Sequence, residues 1–199
     1  MFTIVVQAGG ESSRMGQDKA LLPFLGRPLI ARVLERVAPL GDEVLLTTNQ
    51  PQDYRFLNLP LFPDIIPDRG ALGGVYTALH SARGDLVALV ACDMPFANPK
   101  LLAYQLETLV EGGYDAVIPK EEGGTEPFHA VYRRETCLPA VRAAIQADKW
   151  RVDSWFAQVK IHFLSAEEIR PYDPNGLAFV NVNDPQEFRQ AEALALKET

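Results

Sequence analysis

Short runs of apolar residues alternate along the chain with longer stretches in which apolar positions recur at helical spacing. That alternation is the pattern of strands joined by helical crossovers. Residues 2–8 are apolar almost throughout, as expected of a strand covered on both faces. Further strands are predicted at 43–48, 62–66, 85–91, 114–119, 128–132 and 159–164, with 85–91 near the centre of the sheet. Helices are predicted at 28–37, 71–82, 99–109, 135–147 and 185–196. Pro28 suits a first helical turn and Pro39 lies past the end of the same helix. Gly84 and the Gly112-Gly113 pair read as helix stops, and Asp184 as an N-cap. The stretch from Lys120 to Gly176 is richer in loop residues and reads as a lobe over the edge of the sheet.

The expected architecture is therefore α/β and Rossmann-like, a mostly parallel sheet with helices on both faces, in one domain spanning residues 1–199. Hydrophobic residues make up 47% and charged residues 23%, an ordinary balance for a globular chain that buries a core without staples. A net charge of −7 argues against a general nucleic-acid surface, which needs clustered positive charge. It leaves room for a nucleotide pocket, since backbone amides and a few cations suffice to hold phosphates. Cys92 and Cys137 stand far apart with no paired motif, which points to a reducing compartment. No run approaches ~18 apolar residues and the first residues lack a signal-peptide pattern, so a cytoplasmic setting without a membrane partner is expected.

Chemistry enters directly after the first strand, in Gln7-Ala8-Gly9-Gly10-Glu11-Ser12-Ser13-Arg14-Met15-Gly16-Gln17-Asp18-Lys19. A loop at this place leaves the carboxyl edge of the sheet, where open α/β folds bind ligands. Glycines let backbone N–H groups approach an anion closely. Arg14 offers a planar fork of donors to phosphate oxygens and Lys19 a compact charge. Spacing excludes two familiar alternatives: Gly16 is followed by Gln17-Asp18 rather than Lys-Ser/Thr, and Gly9, Gly10 and Gly16 do not make a dinucleotide fingerprint.

A second signal closes the strand at 85–91. The run ends in Cys92-Asp93-Met94-Pro95, which places the Asp93 carboxylate at the same carboxyl edge. Magnesium takes oxygen ligands and is commonly held by one or two carboxylates together with substrate phosphates. Asp93 is the expected metal ligand, and Cys92 reads as a small buried residue.

These segments, with Asp18-Lys19-Ala20-Leu21-Leu22-Pro23, Gly26-Arg27-Pro28-Leu29, Pro67-Asp68-Arg69-Gly70-Ala71-Leu72-Gly73-Gly74, Glu126-Pro127-Phe128-His129-Ala130-Val131-Tyr132-Arg133-Arg134 and Phe179-Val180-Asn181-Val182-Asn183-Asp184-Pro185, resemble the molybdenum cofactor guanylyltransferase family. The matches run in order over nearly the full length. The resemblance implies a nucleotidyltransferase of the nucleotide-diphospho-sugar transferase-like fold, with GTP and molybdopterin as substrates and Mg²⁺ as cofactor. It implies nucleotide contacts at Gln7, Ala8, Gly9, Gly10, Gly16, Lys19, Asn49, Asp68 and Asp93, with Lys19, Arg14 and Asp93 acting on the phosphates. Asn181 and Asn183 match a pair near the acceptor, which assigns nucleotide binding to about 1–119 and the acceptor side to about 120–184. Cofactor-insertion proteins or molybdoenzymes are the partners it implies for the product. Gln7 departs from the pattern, where many members carry Leu.

The residues themselves leave other readings open. Asp68 also suits a turn at Arg69-Gly70, and Asn181 and Asn183 suit turns before a helix. His129 reads as structural or solvated rather than catalytic. Cytidylyl transfer, a sugar-phosphate acceptor, or a non-catalytic nucleotide-binding module that delivers a cofactor remain alternatives. The joint presence of Lys19 and Asp93 favours an enzyme.

Overall fold

Alternate residues of the first strand serve two separate cores. In the computed structural model, which describes residues 1–9 and 18–197, Ile4 and Val6 pack on one side of the sheet and Val5 on the other. Period-two alternation between two apolar layers explains why that segment carries almost no polar residue. The chain runs β1 (Phe2–Gln7), a 3₁₀ turn (Lys19–Leu21), β2 (Pro23–Phe24), β3 (Arg27–Pro28), α1 (Leu29–Val37), β4 (Glu43–Thr47), a 3₁₀ stretch (Pro51–Leu57), β5 (Leu61–Phe62) and α2 (Gly70–Ser81). It continues through β6 (Leu86–Ala91), α3 (Pro99–Glu111), β7 (Ala116–Glu121), β8 (Gly124–Thr125), β9 (His129–Arg133), α4 (Arg134–Gln146), β10 (Ile161–Leu164), α5 (Ala166–Ile169) and α6 (Pro185–Ala195).

The strand order is β10-β7-β9-β6-β1-β4-β5, with β8 paired to β7. β6, β1, β4 and β5 are mutually parallel, as are β10 and β7, whereas β9 runs antiparallel between β6 and β7. Helices α1, α3 and α5 bury Ile30, Val33, Leu101, Leu109 and Ile169 on one face. Helices α2 and α4 bury Leu72, Val75, Leu79, Val141 and Ile145 on the other. A mostly parallel sheet with helices on both faces is thus the observed fold. β6 is its fourth strand of seven, close to the predicted centre.

Several expectations shift. The strand expected at 62–66 is confined to Leu61–Phe62, because Pro63 removes the next ladder donor. The strand expected at 114–119 begins at Ala116, since Tyr114 N–H still caps α3 by bonding to Leu109 O at 3.0 Å. The region 120–176 is not a lobe over the sheet's edge: β9 lies inside the sheet and α4 packs against α2. Gly84 is not the helix stop either. α2 ends at Ser81, and Gly84 is required by close approach, since a Cβ there would meet Thr3 Oγ1 at 2.6 Å and Met1 O at 2.7 Å.

The topology makes a crevice. β1 is followed by a neighbour on one side (β4), while β6 joins it on the other, with Gln7 opposite Ala91 and Thr47 at the carboxyl edge. Ligands of open α/β sheets sit at such divergences. Near this edge, α6 closes a third apolar cluster in which Phe188 and Ala191 meet Phe24, Leu29, Phe96 and Val182. Asp184 caps α6, accepting from Gln186 N–H at 2.7 Å and Glu187 N–H at 2.8 Å. Asp184→Ala should therefore cost about 1 kcal/mol. Urea denaturation checks it: the midpoint should fall with the slope unchanged, and an unmoved midpoint would show that the cap contributes nothing.

Candidate functional site

The crevice brings the two predicted charges together. Asp18 starts the 3₁₀ turn, its Oδ1 accepting from Ala20 N–H at 3.0 Å, and Ala20 is fully buried in the core. Fixed in this way, the turn sends Lys19 towards the end of β6, where its Nζ pairs with Asp93 Oδ2 and donates to Asn183 Oδ1 at 3.0 Å. Both charged side chains are more than four-fifths buried, at 19% and 16% exposure. Asn183 is held by the chain before it, since Val182 N–H donates to Asp93 O at 3.0 Å.

The loop after Asp93 is clamped from two sides. From α1, Arg32 Nε donates to Pro95 O at 2.8 Å and Arg36 Nε to Ala97 O at 2.9 Å. From β9, His129 Nε2 accepts the Asn98 N–H at 2.9 Å. His129 is fully buried, and burial pushes its imidazole down to about 4, so it is neutral and carries its proton on Nδ1. Asn98 in turn caps α3 and donates to Tyr172 O at 2.9 Å. His129 is thus a structural pin for the strand end that presents Asp93.

The other predicted residues fall around this pair with different roles in the fold. Ala8 N–H donates to Thr47 O at 2.8 Å and Gln7 O accepts from Cys92 N–H at 3.0 Å, so both belong to the sheet. Gly9 is exposed, and no atom of the described residues lies within 4 Å of where a Cβ would sit. Gly10, Arg14 and Gly16 lie outside the described residues. The Gln7 side chain lies against α2, where a Cβ on Gly74 would come within 2.0 Å of its Nε2, and its buried Oε1 has no partner among the described residues. Asn49 exchanges two hydrogen bonds with Asp64, at 2.8 and 2.9 Å, on the exposed rim. Asp68 is exposed and held at φ 58°, a left-handed conformation uncommon outside glycine, at the turn before α2. Asn181 Nδ2 bonds to Phe179 O at 3.2 Å, two residues before Asn183. Cys92 is buried, and burial with the neighbouring Asp93 charge raises its thiol far above the ordinary range, which removes it as a nucleophile.

The residues present suit a hard divalent cation. Asp93 Oδ1 is buried and has no hydrogen-bond partner among the described residues, leaving one carboxylate oxygen for a metal. No cluster of three His, Cys, Asp or Glu side chains is found among them. A cation held by one protein carboxylate, with substrate oxygens and water completing its shell, is the arrangement magnesium tolerates.

Two site residues carry no signal in the sequence spacing. Tyr54, fully buried, donates its hydroxyl to Asp18 Oδ2 at 2.5 Å. Glu126 stands half-buried on the β9 side of the crevice, and burial raises its carboxyl pKa, with the charges of Glu121 and Asp93 adding to the effect. Because the folded state holds this proton better than the unfolded chain, the group's stabilising contribution is present at low pH and is lost as pH rises through the raised value. Glu126→Gln should accordingly melt above the unchanged protein at pH 8, with the gap closing towards pH 4. Melting curves across that range test this, and a gap that widens on acidification would contradict the assignment.

The family model of the MobA-like NTP transferase domain matches residues 4–160. The chain is 34% identical to the probable molybdenum cofactor guanylyltransferase of Pelotomaculum thermopropionicum, over 97% of this chain and 93% of that protein. It is 31% identical to the molybdenum cofactor guanylyltransferase of Desulfosudis oleivorans, over 96% and 94% of the two chains. In fold it is similar to molybdopterin-guanine dinucleotide biosynthesis protein A of Archaeoglobus fulgidus, with a TM-score of 0.85 at 24% identity over 98% of this chain and 99% of that one. With near-complete coverage in both directions and the Lys19–Asp93 crevice in place, the chain belongs to the molybdenum cofactor guanylyltransferase family of nucleotidyltransferases.

Proposed function

We propose that this protein transfers GMP from GTP to the terminal phosphate of molybdopterin and releases pyrophosphate. The observation that supports the reading most directly is the meeting of Lys19 and Asp93 at the carboxyl edge. An oxygen of the acceptor phosphate attacks the α-phosphorus of GTP, the α–β bridging bond breaks, and its electrons leave on pyrophosphate. Acceptor and electrophile are both anionic, so the barrier is one of repulsion and alignment, and charge neutralisation with in-line positioning lowers it. The acceptor phosphate is largely ionised near neutral pH (second pKa ~6), so no general base is needed.

In this reading the loop from Gln7 through Gly16 and the rim residues Asn49 and Asp68 hold the nucleotide, with Lys19 and Arg14 on its phosphates. Asn181 and Asn183 face the acceptor. The division is into a nucleotide side at about 1–119 and an acceptor side at about 120–184. β9 crosses that division by pairing with β6, so the two sides share one sheet. Mg²⁺ is the cofactor proposed for Asp93, where it supplies Lewis-acid polarisation of the nucleotide oxygens. Lys19 faces charge that grows on the departing pyrophosphate, and Asn183 shares its donors without adding charge. A cytoplasmic setting fits two buried free cysteines, and among the described residues no helix is long and apolar enough to cross a membrane.

Pyrophosphate release with GTP, CTP or ATP, given molybdopterin and Mg²⁺, tests the reading. GTP should dominate; a preference for CTP would reassign the base, and nucleotide binding without turnover would indicate a delivery module. Lys19→Ala should lower the rate by roughly 10²–10³, as for loss of one preorganised donor at a developing charge. Asp93→Ala should abolish turnover with the fold intact by circular dichroism. A Lys19→Ala rate within threefold of the unchanged protein would remove Lys19 from the reacting phosphates.

A further inference from the structure

Lys19 is aimed by a residue far from it in sequence. A lysine has a flexible four-carbon stem and its charge follows wherever its backbone directs it. Here the backbone is a single 3₁₀ turn, in which Leu21 N–H bonds to Asp18 O at 3.1 Å and Leu22 N–H to Lys19 O at 3.2 Å. So short a turn does not hold itself. Its one side-chain cap is Asp18, and both oxygens of that carboxylate are engaged. Oδ1 takes the Ala20 N–H, and Oδ2 takes the hydroxyl of Tyr54.

Tyr54 is well placed to act as a fixed post. It sits in the 3₁₀ stretch after β4, is fully buried, and packs in the same core cluster as Ala20 and Val6. Its hydroxyl stays protonated throughout the working range, because burial and the Asp18 charge both raise its ionisation. It is therefore always a donor, and it fixes the rotation of the Asp18 carboxylate as the cap requires. Without it, Oδ2 would lose its only hydrogen bond among the described residues, and Asp18 could rotate or draw in water.

We infer that Tyr54 is a positioning residue for the reaction: through Asp18 it sets the turn that holds Lys19 against Asp93 and Asn183. The inference rests on the proposed role of Lys19 at the reacting phosphates. Its core element, the Tyr54–Asp18–Ala20 chain of hydrogen bonds, can be tested apart from activity.

Tyr54→Phe keeps the ring and removes only the hydroxyl. It should lower kcat about tenfold, the scale of one hydrogen bond to a charged group, while the KM for GTP stays within about twofold because the ring packing and the rest of the nucleotide loop are unchanged. In an Asp18→Asn background the same change should have less than about a twofold effect, since the shared partner is already altered. Hydrogen exchange gives the second arm: in Tyr54→Phe the amides of Ala20–Leu22 should exchange at least about tenfold faster, with β1 amides unmoved. Unchanged kcat, or equal losses in both backgrounds, would overturn the inference. An unmodified protein that releases no pyrophosphate would instead sink the transferase reading, and unaltered exchange at Ala20–Leu22 would then decide against Tyr54 on its own.

Discussion

Two opposite charges, one on a short 3₁₀ turn and one just past the end of β6, have to be kept within reach of each other in a place that is mostly dry. Lys19 and Asp93 are each more than four-fifths buried, so neither is fully solvated, and each is the other's main compensation. Removing one partner of such a pair strands the remaining charge, which costs far more than loss of a surface ion pair. The neighbouring structure is arranged around that constraint. Asp18 and Tyr54 fix the lysine's turn, while Arg32, Arg36 and His129 fix the loop on the carboxylate's side. All of these contacts are to backbone or to other side chains rather than to the pair itself. The charges are therefore positioned by their bases, and their tips stay available for chemistry, which is what electrostatic preorganisation requires.

The sheet was largely legible because buried parallel strands leave an unmistakable trace, a run such as Leu86–Ala91 with scarcely a polar side chain. β9 shows where that signal ends. His129–Arg133 was readable as a strand, but an apolar run has no direction written in it, and nothing local tells parallel from antiparallel. Only the pairing to β6 on one side and β7 on the other decides it. Gly84 illustrates a different ambiguity. A glycine after a helix commonly ends it, yet this one is there because Thr3 and the Met1 carbonyl leave no room for a Cβ.

The site divides in the same way. Lys19 and Asp93 were visible because each follows a recognisable strand, so its place at the carboxyl edge could be deduced. Tyr54 was invisible, and Glu126 stood out only as one member of a family-matching run, for a physical reason: their importance lies in what they face across long sequence separations. Tyr54 is 36 residues from Asp18, and an isolated tyrosine in a proline-led stretch resembles any other core aromatic. Asn98, which the sequence reading did not single out, combines both kinds of information: an Asn-Pro at a helix start is a cap signal, while its link to His129 is purely tertiary.

A protein with a net charge of −7 must still offer a local positive field to a triphosphate. Part of the answer lies in the choice of an amide at position 183. Lysine has three N–H donors, of which one is committed to Asp93 and one to Asn183. An aspartate at 183 would fix Lys19 equally well but would cancel its charge twice over, leaving a site that repels phosphate. Asn183 orients the ammonium without neutralising it, and the third donor has no partner among the described residues. Of the nearby carboxylates, Asp18 beside Lys19 is engaged by the Ala20 N–H and the Tyr54 hydroxyl, while Glu121 and Glu126 stand on the β7–β9 side of Asp93. An acidic chain thus keeps a lysine charge at the carboxyl edge of its sheet by engaging the carboxylate beside it in hydrogen bonds and orienting the ammonium with an amide.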